Sequence, residues 1–422
     1  MGVTAVIGLQ WGDEGKGKVV DALCHNADIV VRCQGGANAG HTIVVDGRKF
    51  ILHLVPSGIL RPGVRCLIGS GVAVDLEVLD QEIKEISEAG IDVLERLVVS
   101  RRAHVVLPIH RHIESLRERL RGSRKLGTTR RGIGPTYSDK YTRLGIRVGD
   151  VMNASTLPAK IQALRQAYDE YAFDEPIPDS DDMLAFCSEY RHMLGTVTGD
   201  TLSVLSRGIS QDKQVLLEGA QGFLLDIDHG TYPYVTSCNT GVHGLACGAG
   251  LAPSAIDEVV GVVKSYMTRV GEGPMPTQME EPVQTLVREK GCEYGATTGR
   301  PRRCGWLDMP ALRYSCSVNG VTALAITKID TLAGLETVKV CTAYEHSGEV
   351  VQGFPADIEL LQDCAPRYAD LPSWPQLDCV GDLAELPAGA LDYVQRIAQV
   401  GGCPPRLIST GPGRSDLVYL DR

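Results

Sequence analysis

Short apolar runs that end in glycine or in a polar residue recur along the chain. Thr4 to Gly8 is one such run, and it reads as a buried strand. Asp28 to Cys33, Arg65 to Gly69 and Arg96 to Val99 read the same way, as do Gln214–Glu218, Ile256–Val263, Thr322–Thr327 and Arg406–Ser409. Between them lie segments of helical period. Leu79, Ile83 and Ile86 recur at helical spacing, His110 to Arg121 predicts a charged helix, and 157–172 predicts another with Ile161, Leu164, Tyr168 and Tyr171 on one face. Apolar strands alternating with helices predict an α/β fold: a large central, mainly parallel sheet flanked by helices, with inserted loops and small subdomains. Residues 346–390 are richer in Pro, Asp and Ala and read as surface excursions. No internal repeat or composition break divides the chain, so 1–422 is expected to form one large α/β domain.

Composition narrows the function. The hydrophobic fraction is 43% and the net charge is −10. A general nucleic-acid binder is basic, so nucleic acid is not expected as a partner. No apolar stretch is long enough to span a membrane, and the opening residues, without a basic stretch and a following apolar run, lead one to expect no signal peptide. The 13 cysteines include no C-x-x-C pair, which points to reduced thiols and a cytoplasmic location. His104, His110 and His112 do not share a helix face, so no metal site is expected there.

The chemistry is concentrated in loops that follow the strands. Gly8-Leu9-Gln10-Trp11-Gly12-Asp13-Glu14-Gly15-Lys16-Gly17-Lys18 lies between a strand and a helix. Its glycines let backbone N–H groups converge on an anion at a helix N-terminus. The spacing is not that of a Walker A loop, and Gly17 stands where that motif has Ser or Thr. An acid inside a phosphate loop is unusual. Asp13 would repel a polyphosphate unless it holds a metal or takes a proton. A second glycine loop, Gly35-Gly36-Ala37-Asn38-Ala39-Gly40-His41-Thr42, follows the second strand and places His41 where α/β proteins put ligands. Thr327-Lys328-Ile329-Asp330 closes an apolar strand in the form of a guanine reader: a carboxylate accepts from the ring N–H and exocyclic amine, and adenine would leave it unpaired. Gly127 to Pro135 is a basic, glycine-rich loop followed by Arg143 and Arg147, and Gly295 to Arg303 combines hydroxyls, glycines and guanidiniums suited to a dicarboxylate. His229 reads as structural.

WGDEGKGK followed by QGGANAGHT resembles the N-terminal signature of adenylosuccinate synthetases, and the likeness extends over nearly the whole chain. It implies a GTP-dependent ligase that joins inosine monophosphate (IMP) and L-aspartate through a 6-phosphoryl-IMP intermediate, in the synthesis of AMP. Asp13 and His41 would be catalytic. GTP would be bound by Gly12, Asp13, Glu14, Gly15, Lys16, Gly17 and Lys18, by Gly40, His41 and Thr42, by Arg302, by Lys328, Ile329 and Asp330, and by Ser409, Thr410 and Gly411. IMP would meet Asp13, Asn38, Ala39, Gly40, His41, Thr129, Gln221, Thr236 and Arg300, with Arg143 reaching across a homodimer to the neighbouring subunit's site. Ala296, Thr297, Thr298, Gly299, Arg300 and Arg302 would hold aspartate. One magnesium ion per subunit would sit on Asp13 and the carbonyl of Gly40. The sequence departs from the family pattern at Arg130, where many relatives carry glycine, and at Gly241–Gly244. Two rivals need fewer of these parts. A regulatory GTP-binding switch would not need the Arg/Thr loop or the pairing of Asp13 with His41, and a nucleotide kinase would not need an aspartate site.

Overall fold

The computed structural model describes residues 2–45, 47–122, 125–171, 175–295, 299–377 and 380–420. Among these, eleven strands join in one sheet. Across it run Leu417–Tyr419, Pro405–Ser409, Ala323–Thr327, Glu258–Lys264, Val3–Gly8, Val215–Glu218, Ile29–Gly36, Arg65–Asp75, Leu97–Ser100 and Thr198–Gly199, while His104–Val106 pairs with the far end of Arg65–Asp75. Pairing is parallel throughout except at the edge, where Leu417–Tyr419 runs antiparallel to Pro405–Ser409.

Both faces of this sheet are covered, and that is why its strands read as continuous apolar runs. Alternate residues enter two separate cores. Ile7, Val31 and Leu217 pack on one face, and Val6, Val30 and Leu216 on the other. Each expected strand is present with its ends moved by a few residues. The strand expected at Arg65 to Gly69 runs on to Asp75, and in Ile29–Gly36 the residues Gln34, Gly35 and Gly36 stay in the ladder opposite Gly71, Val72 and Ala73, so the second glycine loop begins only at Ala37.

Helix Leu76–Glu88 starts where Asp75 accepts from the Val78 N–H at 3.3 Å, and it buries Leu79, Ile83 and Ile86 as its period requires. The helix expected at His110 to Arg121 runs from Pro108 to Leu120, with proline in its first turn. The helix expected over 157–172 ends at Asp169, which corrects one assignment. Ile161, Leu164 and Tyr168 are buried, but Tyr171 lies past the helix end and is 62% exposed. The region read as surface excursions carries a small sheet. Val338–His346 pairs with Leu307–Asp308, Glu349–Val351 and Ala365–Leu371, and the last of these keeps one buried residue, Leu371.

A parallel sheet brings the C-terminal ends of its strands to one edge. The loops that leave Gly8, Gly36, Glu218, Lys264, Thr327 and Ser409 therefore meet along a single line. These are the loops that the sequence marks as chemical.

Candidate active site

The phosphate loop is wound around the Glu14 side chain. Gly12, Asp13 and Gly15 all have positive φ, at 88°, 61° and 89°. Glu14 is fully buried and turns inward. Its carboxylate accepts from the N–H groups of Gln10 (3.0 Å) and Gly12 (2.9 Å) and pairs with Lys16 Nζ at 2.5 Å. A Cβ on Gly8 would lie 2.3 Å from that carboxylate, so the strand can end there only as glycine. Thr327 Oγ1 donates to the Glu14 carbonyl at 2.6 Å, tying the loop to the Lys328–Asp330 segment. Gly15 then opens helix Lys16–Leu23, whose free N–H groups face the cavity.

His41 begins the hairpin strand His41–Val45, and its backbone packs on Gly17 of that helix. Its Nδ1 hydrogen-bonds Glu218, the last residue of strand Val215–Glu218. Glu218 is fully buried and also accepts from the Ser57 N–H and Oγ, each at 2.8 Å, while Arg32 stands 3.6 Å away. Burial by itself would raise the Glu218 pKa. His41, Arg32 and the Ser57 donor outweigh it and hold the carboxylate ionised. Burial pulls the imidazole down and Glu218 opposes that pull. Glu218 thus fixes Nδ1 as the protonated nitrogen and turns Nε2 away from itself.

Asp13 is the acid that stays at the cavity wall. Arg302 Nε lies 2.9 Å from its Oδ2 but is misaligned for a hydrogen bond. The other end of the guanidinium is held firmly: Nη1 meets Glu293 at 2.5 Å, and Glu293 in turn binds Lys264 Nζ (2.9 Å) and the Tyr266 hydroxyl (2.5 Å). Burial would raise Glu293, yet Lys264, Arg302 and Lys328 hold it down at about 2. For magnesium, Asp13 offers one carboxylate and Gly40 a backbone carbonyl on the same wall. Among the described residues no cluster of three or more metal-ligating side chains occurs. Magnesium commonly takes one or two carboxylates together with substrate phosphates, so this sparse oxygen set fits the ion.

One cavity of about 710 Å³ joins these parts. Its wall includes Gly12, Asp13, Gly15, Lys16, Gly17, Lys18, Asn38, Ala39, Gly40, His41, Thr42, Thr129, Gln221, Thr236, Arg300, Arg302, Lys328, Asp330, Ser409 and Gly411. Several buried polar atoms on that wall have no protein partner: Gln221 Oε1, Thr236 Oγ1, Thr128 Oγ1 and Asp330 Oδ1. A buried polar atom without a partner carries a desolvation penalty that a ligand can remove. Burial raises the Asp330 pKa, with Lys328 and Lys18 opposing.

Other expected site residues are off the cavity wall or have their polar groups engaged by the protein. Glu14 is the loop's internal brace. Ile329 is fully buried away from the cavity, and its carbonyl accepts from Trp374 Nε1. Thr410 is turned to the Val380 carbonyl at 3.0 Å. Lys18 Nζ is directed to Ser409 Oγ, the Gly411 carbonyl and the Asp416 carbonyl. Gly299 and Arg143 are not on the cavity wall; Arg143 is exposed at the end of helix Ile133–Thr142. Ala296, Thr297 and Thr298 lie outside the described residues.

The structure also adds residues. Glu218 and Glu293 were not assigned roles from the sequence, although an acid closing the apolar run Val215-Leu216-Leu217-Glu218 is a usable signal. Thr128 is another; its loop is pinned by Glu118, which accepts from the Gly127 N–H at 3.1 Å. Arg269 is almost fully buried 5.0 Å from the Trp11 ring, and burial pulls it down to about 9. His229 packs on Phe223 with its N–H capped by Asp226, in keeping with a structural part.

The comparisons with known proteins agree with this geometry. The family model for adenylosuccinate synthetase matches residues 5–418. Adenylosuccinate synthetase of Halothermothrix orenii is 47% identical over 428 aligned positions, covering 100% of this chain and 99% of that protein. The Moorella thermoacetica enzyme is 45% identical, again with 100% and 99% coverage. Among solved structures, the fully ligated adenylosuccinate synthetase from Plasmodium falciparum superposes with a TM-score of 0.94 at 39% identity, covering 100% of both chains. Matched by the family model over residues 5–418 and by relatives that cover its whole length, the chain belongs to the adenylosuccinate synthetase family.

Proposed function

We propose that the cavity carries out the family's reaction with Asp13 and His41 as its catalytic residues. The chain is a GTP-dependent, GDP-forming ligase that joins IMP to L-aspartate in AMP biosynthesis. The observation that carries the residue-level reading is the set of unpartnered polar atoms on the wall. Gln221 Oε1 and Thr236 Oγ1 would be satisfied by IMP, and Asp330 Oδ1 by guanine; all three are buried on residues that line the cavity and have no protein partner.

The 6-oxygen of IMP is a poor leaving group, so the reaction is split in two. Asp13 takes the proton from ring N1, and the electron pair moves to the 6-oxygen. That oxygen attacks the γ-phosphorus of GTP, the bond to the bridging oxygen breaks, and GDP leaves. His41 donates a hydrogen bond to the moving phosphoryl group, with Glu218 behind it stabilising an imidazolium. The amine of aspartate then attacks C6 and phosphate leaves, giving adenylosuccinate. Magnesium bound by Asp13 and the Gly40 carbonyl would offset phosphate charge. Arg302 must loosen its grip on Asp13 for this, and the misaligned 2.9 Å contact makes that exchange easy. Thr129, Asn38 and Ala39 would hold IMP, and Arg300 with the 296–299 loop would grip aspartate. Arg143 is exposed and off its own cavity wall, which supports its serving a neighbouring subunit in a homodimer. One sheet takes strands from both ends of the chain, which supports a single large domain. Among the described residues no helix is long and apolar enough to cross a membrane. Among the described residues the cysteines are free thiols, which favours the cytoplasm.

Two assays test this. GTP turnover should require IMP and aspartate together, and turnover with neither present would restore the switch-protein rival. GTP should exceed ATP by roughly 10⁴-fold in kcat/KM, because a site built for hydrogen bonds rejects an analogue that leaves them unmade. Asp330→Asn should move the preference to xanthosine triphosphate. Equal use of ATP by the unaltered enzyme would remove the guanine assignment.

A further inference from the structure

Lys18 sits in the phosphate loop's signature, but its ammonium does not face the phosphate cradle. Its three hydrogens are matched by three acceptors in one other segment: Ser409 Oγ at 2.8 Å, the Gly411 carbonyl at 2.6 Å and the Asp416 carbonyl at 3.0 Å. An ammonium has three donors and no more, so this set leaves none for a phosphate oxygen. One turn further along helix Lys16–Leu23, on the same face, Asp21 is fully buried. It takes Arg414 as a two-pronged partner, Oδ2 from Nε and Oδ1 from Nη2, each at 2.6 Å. Arg61 steadies Asp21 from the other side at 3.3 Å.

The segment these residues hold is folded on itself. The Thr410 N–H reaches the Asp416 carbonyl at 3.1 Å, and the Gly413 N–H reaches the Asp416 carboxylate at 2.6 Å. A Cβ on Gly411 would lie 2.7 Å from that carboxylate, so the loop has no room to repack locally. Its attachment to helix Lys16–Leu23 therefore sets where Ser409 and Gly411 stand on the cavity wall.

We propose that Lys18 and Asp21 are positioning residues for purine-base recognition: they clamp the 409–416 loop to the helix that cradles the phosphates, and Lys18 does not bind phosphate. This rests on the reading that Ser409 and Gly411 complete the guanine pocket. The clamp makes base and phosphate recognition one mechanical unit, since the helix whose N-terminus faces the phosphates also carries the loop that faces the base.

The test separates base from phosphate. In Lys18→Met, the Kd for GDP should rise by roughly 10-fold to 100-fold, the scale of lost hydrogen bonds to a charged group. The Kd for inorganic tripolyphosphate and the KM for IMP should hold. Arg414→Gln, a change on a partly exposed side chain, should reproduce the selective loss, and Lys18→Arg should recover part of it. Equal weakening of GDP and tripolyphosphate in Lys18→Met would make Lys18 a phosphate ligand and overturn the proposal. So would unchanged GDP affinity in Arg414→Gln, which decides the matter if Lys18→Met does not fold. Asp330→Asn is measured alongside. If it leaves GDP binding intact, the guanine pocket itself is misplaced; if it weakens GDP while both clamp variants do not, only the clamp falls.

Discussion

A carboxylate behind a histidine decides which ring nitrogen carries the proton and steadies the imidazolium when it forms. Glu218 does this for His41 from full burial, with Ser57 and Arg32 keeping it ionised. Glu218→Gln keeps the shape and removes the charge. It should lower kcat by about 10²-fold, the usual scale for a general acid, while the KM values hold; steady-state kinetics beside circular dichroism checks this, and a loss confined to KM would make Glu218 a packing residue. Glu293 yields a pH prediction. Its carboxyl lies at about 2 against an ordinary 4.5, so the stability it contributes is present above 4.5 and is lost as pH falls from there through 2. Acid titration of the melting temperature should show that decline, and Glu293→Gln should flatten it. Arg130 fits at this scale too. Its φ of 57° is the left-handed conformation that glycine adopts freely, in keeping with the glycine that the family resemblance leads one to expect there.

At the scale of elements, the helix Lys16–Leu23 and the loop 409–416 should respond to pH together. Burial brings Lys18 down to about 8, despite the opposing pull of Asp416 and Asp330. A neutral amine donates two hydrogens where the ammonium donates three, so the loop loses a tie as pH rises through 8. The KM for GTP should climb above that pH, and Lys18→Arg, which stays charged, should remove the climb. Elements also explain what the sequence revealed. Strands buried on both faces announce themselves, and Val3–Gly8, Glu258–Lys264 and Ala323–Thr327 were legible from apolar runs alone. Helix Ser180–Val197 was not read, because its buried positions Met183, Cys187, Leu194 and Val197 are few for eighteen residues; the Asp179 cap, accepting from the Asp182 N–H at 2.9 Å, was the signal available. Among the site residues, those with a motif were legible. Glu218, Glu293 and the true partners of Lys18 were not, since each depends on segments 161 to 398 residues away or on burial that no local pattern encodes.

For the whole molecule, the proposal that the exposed Arg143 serves the site of a second copy of the chain can be tested by mixing subunits. Arg143→Leu should mainly raise the KM for IMP. Mixed with Asp13→Ala protein, it should regain activity, because some mixed dimers then hold one intact site. No recovery after verified subunit exchange would place Arg143 in its own subunit's service. The central claim, that IMP's own oxygen attacks GTP within this cavity, has a direct readout. IMP labelled with oxygen-18 at position 6 is turned over with GTP and aspartate, and the phosphate released is analysed by mass spectrometry. Attack by the 6-oxygen on the γ-phosphorus, followed by displacement at C6, requires one labelled oxygen in each phosphate formed. Unlabelled phosphate, with adenylosuccinate forming at the normal rate, would contradict the account.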